Sequence, residues 1–158
     1  MQFWHPLVRQ AQNGESGRAP GAGPSSGNAP ARTPALDRSR RKILLVEDDL
    51  DAVHTLAYVL RRIGHQVEYA INGYAALELA RKFRPDFMIL DLGLPGMNGF
   101  ELCQRIKADR ELRATRIIAL TAYGQEEYRK RSLAAGCELH LVKPHDPAVL
   151  AGYIAGSA

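Results

Sequence analysis

A single α/β domain, a five-stranded parallel sheet wound on both faces by helices, is predicted for residues 41–158 from three features. Short apolar runs alternate with longer stretches whose apolar residues recur at helical spacing, and the alternation is strict from Lys42 to Ile154. The run Phe87-Met88-Ile89-Leu90 is apolar throughout and bounded by Pro85, Gly93 and Pro95, as a strand covered on both faces must be. Lone polar residues stand where such runs stop, and right-handed crossovers would bring all those strand ends to one edge.

The elements follow in order. Lys42 to Val46 is a buried-type strand closed by Glu47-Asp48-Asp49. Asp51 to Ile63 carries Val53, Leu56, Ala57 and Leu60 at helical spacing and stops at Gly64, with Asp49 as its start residue. Gln66 to Ala70 is a second strand. Asn72-Gly73 opens a helix with Ala76, Leu77, Ala80 and Phe83 inward, ended by Pro85. Asp86 to Asp91 is the central strand, and Asn98 or Gly99 starts a helix burying Phe100, Leu102, Cys103 and Ile106. Thr115 to Leu120 is a fourth strand reaching Thr121, and Gln125 to Ala135 a fourth helix stopped by Gly136. Glu138 to Val142 is the last strand, ending at Lys143, and Asp146 to Ile154 the last helix.

Composition sets the limits. With 158 residues and 46% apolar side chains, the chain can bury one full core. Residues 1–40 hold five of the nine prolines, five of the fourteen glycines and five scattered Arg, without hydrophobic period, so a disordered leader is expected there. That leader carries most of the net charge of +4, and its dispersed Arg fit a solvated linker better than a nucleic-acid arm. Cys103 and Cys137 have neither metal-ligand nor disulfide-framework spacing and are expected to be buried or neutral thiols in a reducing compartment. With no apolar run long enough for a signal peptide or a bilayer span, a soluble cytoplasmic protein is expected.

Five strand-end residues then share a crevice: Glu47, Asp48, Asp91, Thr121 and Lys143. Three clustered carboxylates repel unless a cation sits among them, and an all-oxygen set suits Mg²⁺, with the Gly93 carbonyl as a further ligand. A divalent ion, an ammonium and a hydroxyl around one carboxylate form a cradle for a phosphoryl group, which makes Asp91 the candidate nucleophile of an aspartyl phosphate.

Residues 42–154 closely resemble the receiver domain of two-component response regulators, on the segments Leu45-Val46-Glu47-Asp48-Asp49, Ile89-Leu90-Asp91-Leu92-Gly93-Leu94-Pro95-Gly96-Met97-Asn98-Gly99, Ala119-Leu120-Thr121-Ala122 and Val142-Lys143-Pro144. The resemblance implies a doubly wound, flavodoxin-like (βα)5 fold. It implies that Asp48 ligates Mg²⁺ directly and Glu47 through water, and that Asp91 accepts the phosphoryl group from a histidine kinase or histidine phosphotransfer protein. Thr121 and Lys143 would contact that group, Ala122 leaves room beside it, and the Lys143-Pro144 bond would be cis. His140 stands where many receivers carry a switching Tyr or Phe, so it is expected either to switch with Thr121 or to stand exposed on its strand. Gly93 and Tyr123 occupy positions that tune phosphoryl lifetime in this family; no side chain at the first and a ring at the second imply slow hydrolysis.

His54 is expected to face solvent or a partner, and His65 and His145 to be solvated in turns. Since the chain stops at Ala158, the expected output is a protein contact by a monomer or weak dimer, without DNA binding, through Gln125 to Ile154, with Tyr128, Arg129, Arg131, His140 and Tyr153 on that face. The chain is not expected to be an enzyme beyond its own phosphorylation and dephosphorylation. An alternative is a relay or sink module from a hybrid sensor kinase. An aspartyl-phosphate hydrolase of haloacid-dehalogenase type would need a second Asp where Gly93 stands, and a flavodoxin-like cofactor site would be repelled by Glu47-Asp48-Asp49.

Overall fold

The computed structural model describes residues 40–156, so the expectations for the leader lie outside the described residues apart from Arg40. The order is β1 (Lys42–Val46), α1 (Leu50–Arg62), β2 (Gln66–Ala70), α2 (Gly73–Phe83), β3 (Phe87–Leu90), α3 (Gly99–Ala108), β4 (Arg116–Thr121), α4 (Glu126–Ala135), β5 (Leu139–Val142) and α5 (Pro147–Ala155). All strand pairs are parallel, in the order β2-β1-β3-β4-β5. The expected fold is the one observed.

Element ends differ from expectation by about one residue, for local reasons. Asp49, Asn72, Asn98 and Asp146 lie outside their helices because their side chains accept amide hydrogens of the first turn. Thr115 falls just before β4; its hydroxyl donates to the Pro85 carbonyl at 2.9 Å.

Each central strand buries both faces. Leu44, Val46, Met88, Leu90, Ile117 and Ala119 pack against α2, α3 and the end of α4, while Ile43, Leu45, Phe87, Ile89, Ile118 and Leu120 pack against α1 and α5. Each fully buried Leu or Ile contributes roughly 2 kcal/mol, so this double layer holds the strand ends in place. The exception is α4. Its buried residues are only Ser132 and Ala135, and Gln125 at its start makes no side-chain cap. It is the helix most weakly tied to the core by apolar contact.

Register fixes the site. Val46 lies opposite Leu90, so Glu47 and Asp91 leave the sheet side by side. Thr121 lies opposite Val142, and the Lys143 amide donates to the Thr121 carbonyl at 2.9 Å.

Candidate phosphoacceptor site

At the β1 end, the three consecutive acids separate by environment. Asp49 Oδ1 accepts the amides of Asp51 and Ala52 at 3.0 and 3.3 Å, which makes it the α1 cap. Glu47 points inward with its side chain 12% exposed, while Asp48 is exposed. Glu47, Asp48 and Asp91 can each place a carboxylate oxygen within 4.8 Å of the others.

Lys143 completes the group from the β5 end. Its ammonium donates to Asp91 Oδ2 at 2.9 Å and to Glu47 Oε2, bridging two carboxylates that would otherwise repel. Burial holds the Glu47 carboxyl above its usual range, against the opposing effect of the Lys143 hydrogen bond. Burial also opposes charge on Lys143, but its bonds to Glu47 and Asp91 outweigh that and raise its pKa. Asp91 Oδ1 accepts the Gly93 amide at 2.9 Å, so in this structure Gly93 meets Asp91 through its N–H. The Lys143-Pro144 bond is cis.

Thr121 is fully buried, and its hydroxyl accepts the Tyr123 amide at 3.2 Å. The other side of the Tyr123 residue meets His140, whose Nε2 lies 2.9 Å from the Tyr123 carbonyl. A carbonyl can only accept, so Nε2 donates. Nδ1 lies 2.9 Å from the Ser132 hydroxyl of α4, which also reaches the Arg129 carbonyl at 2.8 Å. His140 therefore does not stand free on its strand. A polar chain runs from the Thr121 hydroxyl through Tyr123 and His140 to α4. Ser132 was not visible from sequence; the only hint is a small polar residue at a helix position where an apolar one would be buried.

The Tyr123 ring roofs the Asp91 loop. A Cβ placed on Gly93 would lie 3.4 Å from Tyr123 Cε2 and 3.5 Å from Asp91 Oδ1. Tyr123 stacks on Tyr128 at 4.7 Å, Tyr128 faces Phe100 of α3 at 6.2 Å, and Arg131 lies 4.4 Å over Phe100. Tyr128 and Arg131 thus lean toward α3. Tyr153 bonds Glu138 and Arg116 at 3.1 and 3.2 Å.

A cleft of about 460 Å³ opens beside the carboxylates, lined by Val53, Leu56, Val59, Leu120, Pro144 and His145 among others. His145 is not simply solvated as expected: its Nε2 is buried with no hydrogen-bond partner among the described residues, and burial lowers its pKa. His65 is also a correction. It is 8% exposed, its Nδ1 accepts the Arg41 amide at 3.3 Å, and burial lowers its pKa, because the turn after α1 folds back onto the start of β1. His54 is exposed, with its ring edge-on to Tyr69 at 5.9 Å.

Residues 43–155 match the family described as the response regulator receiver domain. This chain belongs to that family. Among its relatives, the receiver is 38% identical over 105 residues to sporulation initiation phosphotransferase F of Bacillus subtilis, covering 66% of this chain and 83% of that protein. It is 40% identical over 108 residues to the transcriptional regulatory protein CreB of Escherichia coli, covering 68% of this chain but 46% of CreB. The match thus spans about half the length of relatives such as CreB. Among solved structures, a putative response regulator from Chloroflexus aurantiacus superposes with a TM-score of 0.70 at 32% identity, covering 74% of this chain and 96% of that one. The receiver domain of a signal transduction histidine kinase from Syntrophus aciditrophicus gives 0.67 at 33% identity, with coverages of 72% and 86%. Among the described residues of this receiver, no helix is long and apolar enough to cross a membrane.

Proposed function

We propose that this receiver takes a phosphoryl group from a phosphohistidine donor, a histidine kinase or histidine phosphotransfer protein, onto Asp91. The observation that carries this reading is the Lys143 ammonium on Asp91 Oδ2, beside two further carboxylates at the carboxyl edge of a parallel sheet. An Asp91 oxygen forms the new O–P bond as the donor's N–P bond breaks. Lys143 neutralises charge on the arriving oxygens, and the Thr121 hydroxyl donates to them once it leaves the Tyr123 amide. The three carboxylates form an all-oxygen set that fits Mg²⁺: Asp48 and Asp91 would hold it directly, with Glu47 through water and the Gly93 carbonyl completing the set. Such an ion supplies positive charge against the phosphoryl oxygens.

The Tyr123 ring lies over Gly93 beside Asp91, and shielding of the Asp91 phosphoryl group by it supports a lifetime longer than seconds. No separate substrate is turned over. When Thr121 gives up the Tyr123 amide, the strain passes along the His140–Ser132 chain to the lightly anchored α4, making His140 a switch by hydrogen bonding. We read the target as a protein rather than DNA, since residues 41–158 carry sixteen basic and fifteen acidic side chains, nearly in balance. We place the receiver in the cytoplasm as a monomer or weak dimer. A relay or sink role within a hybrid sensor kinase is the second reading, favoured by the likeness to the Syntrophus kinase receiver.

The test is transfer from a histidine phosphotransfer protein radiolabelled on its phosphohistidine. Label should move to this chain only with Mg²⁺ and not to Asp91→Asn. Metal-independent transfer, or labelled Asp91→Asn, contradicts the assignment.

A further inference from the structure

Outside the phosphoacceptor site, two nucleophilic side chains meet in the opposite half of the core. Cys103 of α3 and Cys137, in the turn between α4 and β5, are free thiols with their sulfurs 3.5 Å apart, although 34 residues separate them in sequence. Cys103 Sγ also lies 3.1 Å from the Ala135 carbonyl and donates to it, so the thiol proton between the two sulfurs belongs to Cys137. We propose that Cys103 and Cys137 are a reversible oxidation site, at which hydrogen peroxide converts the two thiols into an intramolecular disulfide.

Three features make this pair more than packed apolar side chains. On ionisation Cys103 gives up its bond to the Ala135 carbonyl, but the Cys137 S–H directed at it and the nearby Lys107 charge favour the thiolate and, against burial, lower the Cys103 pKa. The Cys137 thiol is held protonated by that same hydrogen bond and by burial. One sulfur is thus the first nucleophile and the other the resolving thiol. Access needs an opening: Cys103 is fully buried and Cys137 4% exposed, the Lys107 alkyl chain crosses the adjacent Gly136, where a Cβ would stand 2.8 Å from Lys107 Cγ, and the Lys107 ammonium is tied to the Thr115 and Arg113 carbonyls at 2.7 and 3.3 Å. A small peroxide reaches the sulfurs when this edge opens locally and those two bonds release.

In the first step the Cys103 thiolate attacks a peroxide oxygen; the S–O bond forms as O–O breaks, and the leaving oxygen takes a proton and departs as water. In the second, Cys137 sulfur attacks the Cys103 sulfenic acid, S–S forms as S–O breaks, and the departing hydroxide leaves with the Cys137 proton as a second water. The two thiols lose two electrons and the peroxide gains them. A dithiol reductant reverses the bond by exchange. The product ties the middle of α3 to the turn that follows α4.

The test is intact-mass analysis of the full, reduced chain after hydrogen peroxide treatment. The expected product is monomeric, lighter by two hydrogen atoms, restored by dithiothreitol, and yields a Cys103 peptide linked to a Cys137 peptide. Cys137→Ser should instead form a sulfenic acid at Cys103, trapped by dimedone, whereas Cys103→Ser should leave Cys137 unmodified. An unchanged wild-type mass, an irreversible gain of two oxygens or a disulfide-linked dimer would overturn the proposal. Because the readout is wild-type mass, it does not depend on the variants folding or on Asp91 chemistry.

Discussion

His140 Nε2 donates to the carbonyl of Tyr123 across 2.9 Å, while Tyr123's own amide is held by the Thr121 hydroxyl. One residue of the β4–α4 loop is therefore gripped from both sides, by a strand-end hydroxyl and by the neighbouring strand's imidazole. His140→Phe keeps a ring but loses the bonds to Tyr123 and Ser132. We expect a loss of about 1–2 kcal/mol in urea unfolding and faster amide exchange through residues 122–132. Unchanged exchange there would show that the clasp does not hold α4.

Removal of the Tyr123 ring should open the Asp91 loop to water, since it packs over Gly93 and, among the described residues, stacks on Tyr128 alone. Tyr123→Ala is expected to shorten the phosphoryl lifetime several-fold while leaving the fold intact. Decay of the phosphorylated species by intact mass, compared with wild type, measures this; equal decay rates contradict the shielding role.

Gly99 has no room for a side chain. A Cβ there would stand 2.6 Å from Leu92 Cα and 2.8 Å from the Asp91 carbonyl oxygen, which are backbone atoms of the phosphoacceptor loop. Gly99→Ala should destabilise by about 1–3 kcal/mol and slow phosphorylation as well, because relief must come from moving that loop. Retention of both wild-type stability and wild-type rate would mean that the loop yields without cost.

Burial raises the Glu47 pKa in the folded protein above the ordinary glutamate value. A raised folded value means that the native state holds the proton longer than the unfolded chain does. Its stabilising contribution is complete below the unfolded value and is lost as pH rises through the folded one. Without metal, wild-type stability should therefore fall relative to Glu47→Gln as pH rises above the unfolded value, and Mg²⁺ should reverse the trend by binding the ionised form. Parallel stability curves for the two proteins would contradict it.

Much of this was legible in the sequence because it is local or periodic. The runs Ile43-Leu44-Leu45-Val46 and Phe87-Met88-Ile89-Leu90 reveal strands buried on both faces, and the polar residue after each marks the sheet's carboxyl edge. Asp49, Asn72 and Asn98 mark helix starts through bonds spanning two or three residues. What stayed hidden depends on partners distant in the chain. His65 is buried because Arg41's backbone meets it from the start of β1, and no local pattern distinguishes it from a solvated turn residue. Ser132 becomes a partner of His140 only once α4 packs over β5, and the Cys103–Cys137 contact requires α3 and the β5 turn to converge.

The central claim, that Asp91 is the phosphoacceptor of a metal-assisted site, is tested most directly by intact-mass spectrometry after incubation with Mg²⁺ and acetyl phosphate. Wild type should gain one phosphoryl group, absent without the metal and absent in Asp91→Ala. A phosphoryl group that survives in folded Asp91→Ala, or that forms equally well without metal, would contradict it.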